Sequence, residues 1–179
     1  SLSGRATEAL ALLSTAPPAT ASGWMLLAQV AERAGELVRA ARAYQHVYYE
    51  FPTAAEQATA LAELNGLRAR LGPRYPQPPP EMRLGRADRL TDAGQHRLAR
   101  AEYRTLSLRL QGLAREQAAV RAGASDYHLN RNTAAYKYLQ ALRPVQPEAA
   151  AERLYHLAAC ARRLKRREEF TRLVTGLGD

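Results

Sequence analysis

WMLLAQVAERAGELVRAARAYQHVYYEFP, residues 24–52, reads as two amphipathic helices folded back on each other at Ala34-Gly35. Trp24, Leu27, Ala28 and Ala31 are spaced three, one and three residues apart, so they share one helix face. Gly35 suits the turn because glycine takes the left-handed backbone that ends a helix without a Cβ penalty. The returning helix carries an apolar stripe of Leu37, Ala40, Ala41, Tyr44, Val47, Tyr48 and Phe51, and Pro52 stops it. Small residues at 28 and 40 let the two helices approach, while the aromatics fill the space outside.

Upstream, residues 5–13 (RATEALALL) predict a short helix ending before Pro17-Pro18, and Ser22 is placed to cap the next helix. Downstream, Thr53-Ala54-Ala55-Glu56 matches a capping box in which hydroxyl and carboxylate each satisfy a first-turn amide. It predicts a helix of about 18 residues with Ala54, Ala58, Leu61, Leu64 and Leu71 inward, ending at Gly72-Pro73. GPRYPQPPP, residues 72–80, is too proline-rich for a helix. It reads as an extended strap between two blocks, or alternatively as a proline-rich ligand for a partner's aromatic groove.

The second block repeats the first. Residues 81–93 present Leu84, Ala87 and Leu90; Gly94 turns the chain; residues 95–110 return with Leu98, Ala99, Tyr103, Leu106 and Leu110. AGQHRLARAEY aligns on AGELVRAARAY with Ala34, Gly35, Ala40 and Tyr44 matched by Ala93, Gly94, Ala99 and Tyr103, an internal repeat. A shorter helix at 113–122, an irregular stretch at 123–132 and a helix at 133–143 with Ala135, Tyr138, Leu139 and Leu142 follow. Pro147 starts a helix presenting Ala151, Leu154, Leu157, Ala158 and Ala161, and residues 168–177 present Phe170, Leu173, Val174 and Leu177. The organisation expected is a helical block at 1–72, a strap at 73–80 and a basic helical block at 81–179. Together they make an all-α, α-α superhelix of stacked antiparallel helix pairs, about ten helices in all.

Abundant Ala, Leu and Arg favours helix, and no apolar run approaches the roughly 20 residues that span a bilayer, so no transmembrane segment is expected. The chain opens at Ser1 without Met or a charged-then-apolar leader, which is expected either to have been removed or to lie outside this segment. It closes without a polar capping helix and therefore reads as a segment of a longer protein. The net charge of +9 is uneven: residues 1–72 carry 6 basic and 6 acidic side chains, residues 73–179 carry 20 and 11. The basic half is either a solvated surface written in arginine or a face for an anionic partner.

The candidate contacts to such a partner are Arg162, Arg163, Lys165, Arg166 and Arg167, at a helix end where cations are in any case favoured by the dipole. Tyr44, Tyr48 and Tyr49 could form a stacking platform, but helical spacing sends Tyr44 and Tyr48 to the core and leaves Tyr49 outward. Histidines 46, 96, 128 and 156 lack metal-ligand spacing, and Cys160 sits among alanines as a buried thiol. Asp126 and His128 fall in the expected loop and make no triad with Cys160; Glu168-Glu169 opens a helix, where negative charge is favoured. There is no phosphate loop and no nucleophile elbow, so no catalytic residue, metal or cofactor is assigned. A regular base-reading code per repeat is also missing, and no nucleic-acid partner is expected.

Trp24, Leu27, Ala28, Gly35, Ala40, Tyr44 and Pro52 follow the tetratricopeptide pattern, with Ala31 and Val47 departing from it. At the level of whole segments, AYQHVYYEFPTAAEQATALAEL (43–64), ADRLTDAGQHRLARAEYRTL (87–106) and AERLYHLAACARRLKRREEFTRLV (151–174) carry a wider likeness. In order and spacing they resemble the helix pairs of the N-terminal superhelical domain of bacterial soluble lytic murein transglycosylases. In that family a separate lysozyme-like domain cuts peptidoglycan, and no part of this chain resembles it. The resemblance implies a non-catalytic scaffold in the periplasm or cell envelope, whose partner is a peptidoglycan strand or another protein. A generic tetratricopeptide-type adaptor is the alternative.

Overall fold

The computed structural model describes residues 17–175, and every regular element among them is helical. The helices are α1 (Ala21–Arg33), α2 (Leu37–Glu50), α3 (Gln57–Leu71), α4 (Pro80–Asp92) and α5 (His96–Arg109). They continue with α6 (Gly112–His128), α7 (Asn132–Ala141), α8 (Pro147–Arg163) and α9 (Arg167–Thr175). The all-α class of tetratricopeptide-like helix pairs is thus the one the periodicity predicts. The helix expected at 5–13 and the end of that expected at 168–177 lie outside the described residues. The chain divides into two compact units, with the boundary between Arg89 and Leu90 inside α4 rather than at the strap.

One backbone turn recurs four times. After α1, Gly35 (φ 79°) has its amide on Glu32 O at 3.0 Å, and the Glu36 amide reaches Ala31 O at 2.9 Å. Gly94 (φ 72°) follows α4 with amide bonds from residues 94 and 95 to Thr91 O and Leu90 O. Asn130 (φ 61°) follows α6 and Lys165 (φ 59°) follows α8 with the same pair of bonds. This is the Schellman closure, which satisfies the last carbonyls of the first helix and aims the chain into the second. Counted from the left-handed residue, position −7 is Ala28, Ala87, Gly123 or Ala158, and position +5 is Ala40, Ala99, Ala135 or Phe170. The six alanines and the glycine among these are all buried, so small size at these two positions is what the repeat preserves.

In the first unit α2 packs between α1 and α3. Leu27, Ala28, Ala31, Ala40, Ala41, Tyr44 and Val47 form the core expected, whereas Trp24 is half-buried and stacks on His46 at 4.0 Å. The Glu32 carboxylate joins all three helices, accepting from Tyr44 Oη at 3.4 Å and Arg70 Nη1 at 2.5 Å. Two expected caps differ. Thr20, not Ser22, accepts from the Gly23 amide, and the Ser22 hydroxyl donates to Glu56 at 2.5 Å. Glu56 therefore does not close a box with Thr53, and α3 starts later than predicted. It buries Ala60, Leu64, Leu67 and Leu71, spaced four, three and four apart on one face, while Ala58 and Leu61, expected inward, lie off that face and are exposed.

The proline strap is docked. Gly72–Arg74 forms a 3-10 turn, Tyr75 enters the core beneath the Arg68 guanidinium, and buried Gln45 donates to Pro76 O at 2.6 Å. Pro80 is the first residue of α4 rather than the last of the strap. From α4, buried Arg86 donates to Tyr48 O and to Gln57 Oε1 and lies 3.9 Å over the Tyr48 ring. Tyr48 and Tyr49 meet edge to face at 4.9 Å, and Tyr49 is half-buried, so the three tyrosines make no open platform.

In the second unit α6 packs on α5, α7 and α8. It is one helix of 17 residues, where the sequence reading broke it at 123. Gly123 is the reason: a Cβ there would lie 2.7 Å from Leu139 Cδ2 and 2.9 Å from Tyr138 Cδ1, so α7 crosses at van der Waals contact with the α6 backbone. Packing against α7 outweighs the poor helix propensity of the Gly-Ala-Ser run. Tyr136, missed by the reading, is buried on α7; Leu98, Ala151 and Val174, expected inside, are exposed.

Candidate functional site

The basic cluster expected to meet an anionic partner lies at the α8–α9 turn, and its members do different things. Arg163 Nη1 donates to Tyr127 O and Asn130 Oδ1, both at 3.2 Å, and its guanidinium lies 3.9 Å over the Tyr127 ring. It closes the C-terminal end of α6. Arg166 sits 4.6 Å over Tyr136 and pairs with Glu169 at 3.2 Å. Lys165 occupies the left-handed turn position, and Arg167 is the exposed first residue of α9. Arg162 lines a cavity.

The same use of arginine recurs across this unit. Arg153 Nε donates to Leu139 O at 2.7 Å and Arg143 Nη1 to Gln140 O at 2.6 Å, together closing the end of α7. Arg121 grips Glu152 through two nitrogens at 2.8 and 3.3 Å, tying α6 to α8. Planar guanidiniums are thus engaged with protein carbonyls and carboxylates.

The cavity at Arg162 measures about 400 Å³, within the range of small-ligand sites. One face of α8 supplies Tyr155, His156, Ala159 and Arg162; Tyr127 and His128 come from the end of α6, Phe170 and Val174 from α9. The alanines leave the room that the aromatics border. Tyr155 is 63% exposed and Val174 45%, so the rim is apolar. Tyr155 meets His156 edge to face at 5.1 Å, and His128 stacks on His96 at 4.7 Å with rings 15° from parallel.

Burial pushes His156 down to about 4, with His128 and Arg121 adding to the effect. His128 is also lowered, by partial burial first and then by His96 and Arg163. Near neutral pH the cavity therefore offers two uncharged imidazoles, each one donor and one acceptor, beside a permanent cation. Cys160 on the same helix packs into the core instead, and burial raises its thiol to about 11, which makes it a poor nucleophile. Asp126, expected in a loop, lies buried on α6 against Arg100. Such a site can hold a ligand by stacking and charge. No group of three or more His, Cys, Asp and Glu among the described residues is placed to hold a metal, and no helix among them is long and apolar enough to cross a membrane.

The histidine and tyrosine lining was missed in the sequence because its members come from two helices some thirty residues apart and follow no single spacing. Only the pairing of Tyr155 and Arg162, two turns apart on α8, carries a local signal. Comparison with protein-family models, with curated proteins and with solved structures gives no match.

Proposed function

We propose that this chain is a non-catalytic tetratricopeptide-like scaffold that holds a peptidoglycan strand for a catalytic domain outside it, as its resemblance to soluble lytic murein transglycosylases implies. The observation that carries the scaffold reading is the fourfold recurrence of one helix–turn–helix closure with small residues at the crossing. Stacked hairpins present preformed surfaces, so a ligand binds without ordering them. Exposed Tyr155 offers a ring face to a sugar, and Arg162 a guanidinium to a stem-peptide carboxylate. The compartment that goes with this reading is the periplasm or cell envelope.

The test is co-sedimentation of the chain with purified peptidoglycan at rising salt. Retention that falls with salt, and that drops in Tyr155→Ala and Arg162→Gln, supports the reading. Absence of retention at low salt sinks it. The apolar rim formed by Tyr155 and Val174 favours one second reading, a protein adaptor whose partner inserts an apolar side chain. Recovery of one stoichiometric protein without glycan retention selects that alternative.

A further inference from the structure

The first unit, whose sequence charge is balanced at 1–72, holds a second cavity of about 620 Å³. It is bordered by the first turns of α2 and by the end of α3 with the 3-10 turn that follows. Arg39, Arg42 and Arg74 line it, against the single carboxylate of Glu36. Glu36 pairs with Arg39 at 3.3 Å. Arg42 and Arg74 are exposed and have no carboxylate partner among the described residues. They differ in this from Arg143, Arg153 and Arg163 of the second unit, which face protein carbonyls. Leu37, Val38 and Leu71 supply an apolar wall beside the cations.

Two guanidiniums without a carboxylate partner among the described residues line one cavity from elements some thirty residues apart, and the planar fork of a guanidinium matches a carboxylate or phosphate. The apolar wall suits a few methylene groups attached to it. We propose that this cavity binds an oxyanion, carboxylate or phosphate, carried on a short aliphatic body. The site is independent of the α8–α9 cavity and of the peptidoglycan reading. It stands or falls by its own ligands.

The experiment is an amide-resonance titration of the full chain with glutarate, with inorganic phosphate and with uncharged glutaramide, at constant ionic strength set by sodium chloride. Saturable shifts confined to residues 35–42 and 71–74 are expected with at least one anion and not with glutaramide. Saturation by glutarate alone assigns a carboxylate ligand, and saturation by phosphate alone a phosphate. Arg42→Gln/Arg74→Gln weakens binding at least tenfold, and Arg109→Gln, an equal loss of charge per site elsewhere, leaves it unchanged. Glu36→Gln removes the one carboxylate of the lining and tightens binding severalfold, an effect that purely structural arginines would not produce. Shifts that never saturate, or that spread over the whole surface, overturn the proposal. So does wild-type affinity in the double variant. Should that variant lose its helical circular dichroism, Arg42→Lys/Arg74→Lys keeps the charge and removes the fork, and unchanged affinity there overturns it equally.

Discussion

Arg100 Nε lies 2.7 Å from Asp126 Oδ1, with Arg131 Nη1 at 3.6 Å on the same oxygen. Asp126 is 3% exposed and stands four residues before a left-handed turn, where the other three hairpins bury Ala31, Leu90 and Ala161. A carboxylate thus occupies a position that the repeat keeps apolar. The Arg100 N–H is not aimed along the contact, so the pair is a close charge contact rather than an aligned hydrogen bond.

Removing one partner of such a pair leaves a buried charge uncompensated. Asp126→Ala should lower stability by roughly 3 kcal/mol, because Arg100 is largely covered. Replacing both, as Arg100→Met/Asp126→Leu, should recover most of the loss, since apolar packing is the habit of this position. Urea denaturation of the two single variants and the double variant measures the coupling. Additive losses would mean that the two charges do not act together.

Gly123→Ala tests the crossing of α6 and α7. Alanine improves helix propensity by about 1 kcal/mol, which alone predicts stabilisation. The new methyl would meet Leu139 Cγ at 2.8 Å and Tyr138 at 2.9 Å, and overpacking should prevail, with a net loss of about 1–3 kcal/mol. A raised melting temperature would show that α7 can yield.

Lys165 carries a side chain at φ 59°, where the equivalent residues of the first two turns are glycine. Lys165→Gly should relieve the left-handed strain and stabilise the chain by about 1 kcal/mol, or roughly 2–4 °C in Tm. Scanning calorimetry gives the answer, and a lowered Tm would assign the ammonium a stabilising contact that outweighs the backbone term.

His156 gives stability a pH dependence. In the unfolded chain it takes up a proton near 6.5, whereas the folded ring resists down to about 4. Between these values the unfolded state binds more protons, so the contribution of the neutral ring is complete above pH 6.5 and is lost as pH falls. From pH 7.5 to 5 the loss should approach about 2 kcal/mol. His156→Leu should flatten the profile in this window, above the range where ordinary carboxylates titrate. An unchanged slope in the variant would place the responsible group elsewhere.

The helix pairs could be read in the chain because the signals for them are local. Apolar spacing at three and four residues marks a buried face, and Gly35 and Gly94 mark the turns whose backbone they ease. The same turn at Asn130 and Lys165 carries no glycine, and the break placed at Gly123 was a local inference overruled by the helix packed on it. Propensity speaks for a residue alone; contact with Leu139 speaks for its place in the unit.

Arginine shows the same division more sharply. Composition and run length made Arg162 to Arg167 one basic patch, yet Arg163 faces a carbonyl 36 residues away and Arg166 a tyrosine on α7. Charge is written in the sequence, but its partner is chosen by the fold, since a guanidinium pairs with whatever carbonyl or carboxylate the packing brings within reach. Fold class, turns and apolar stripes therefore follow from residue order. Which cations are engaged within the protein, which line a cavity, and where an aspartate enters the core follow only from helices distant in sequence meeting in space.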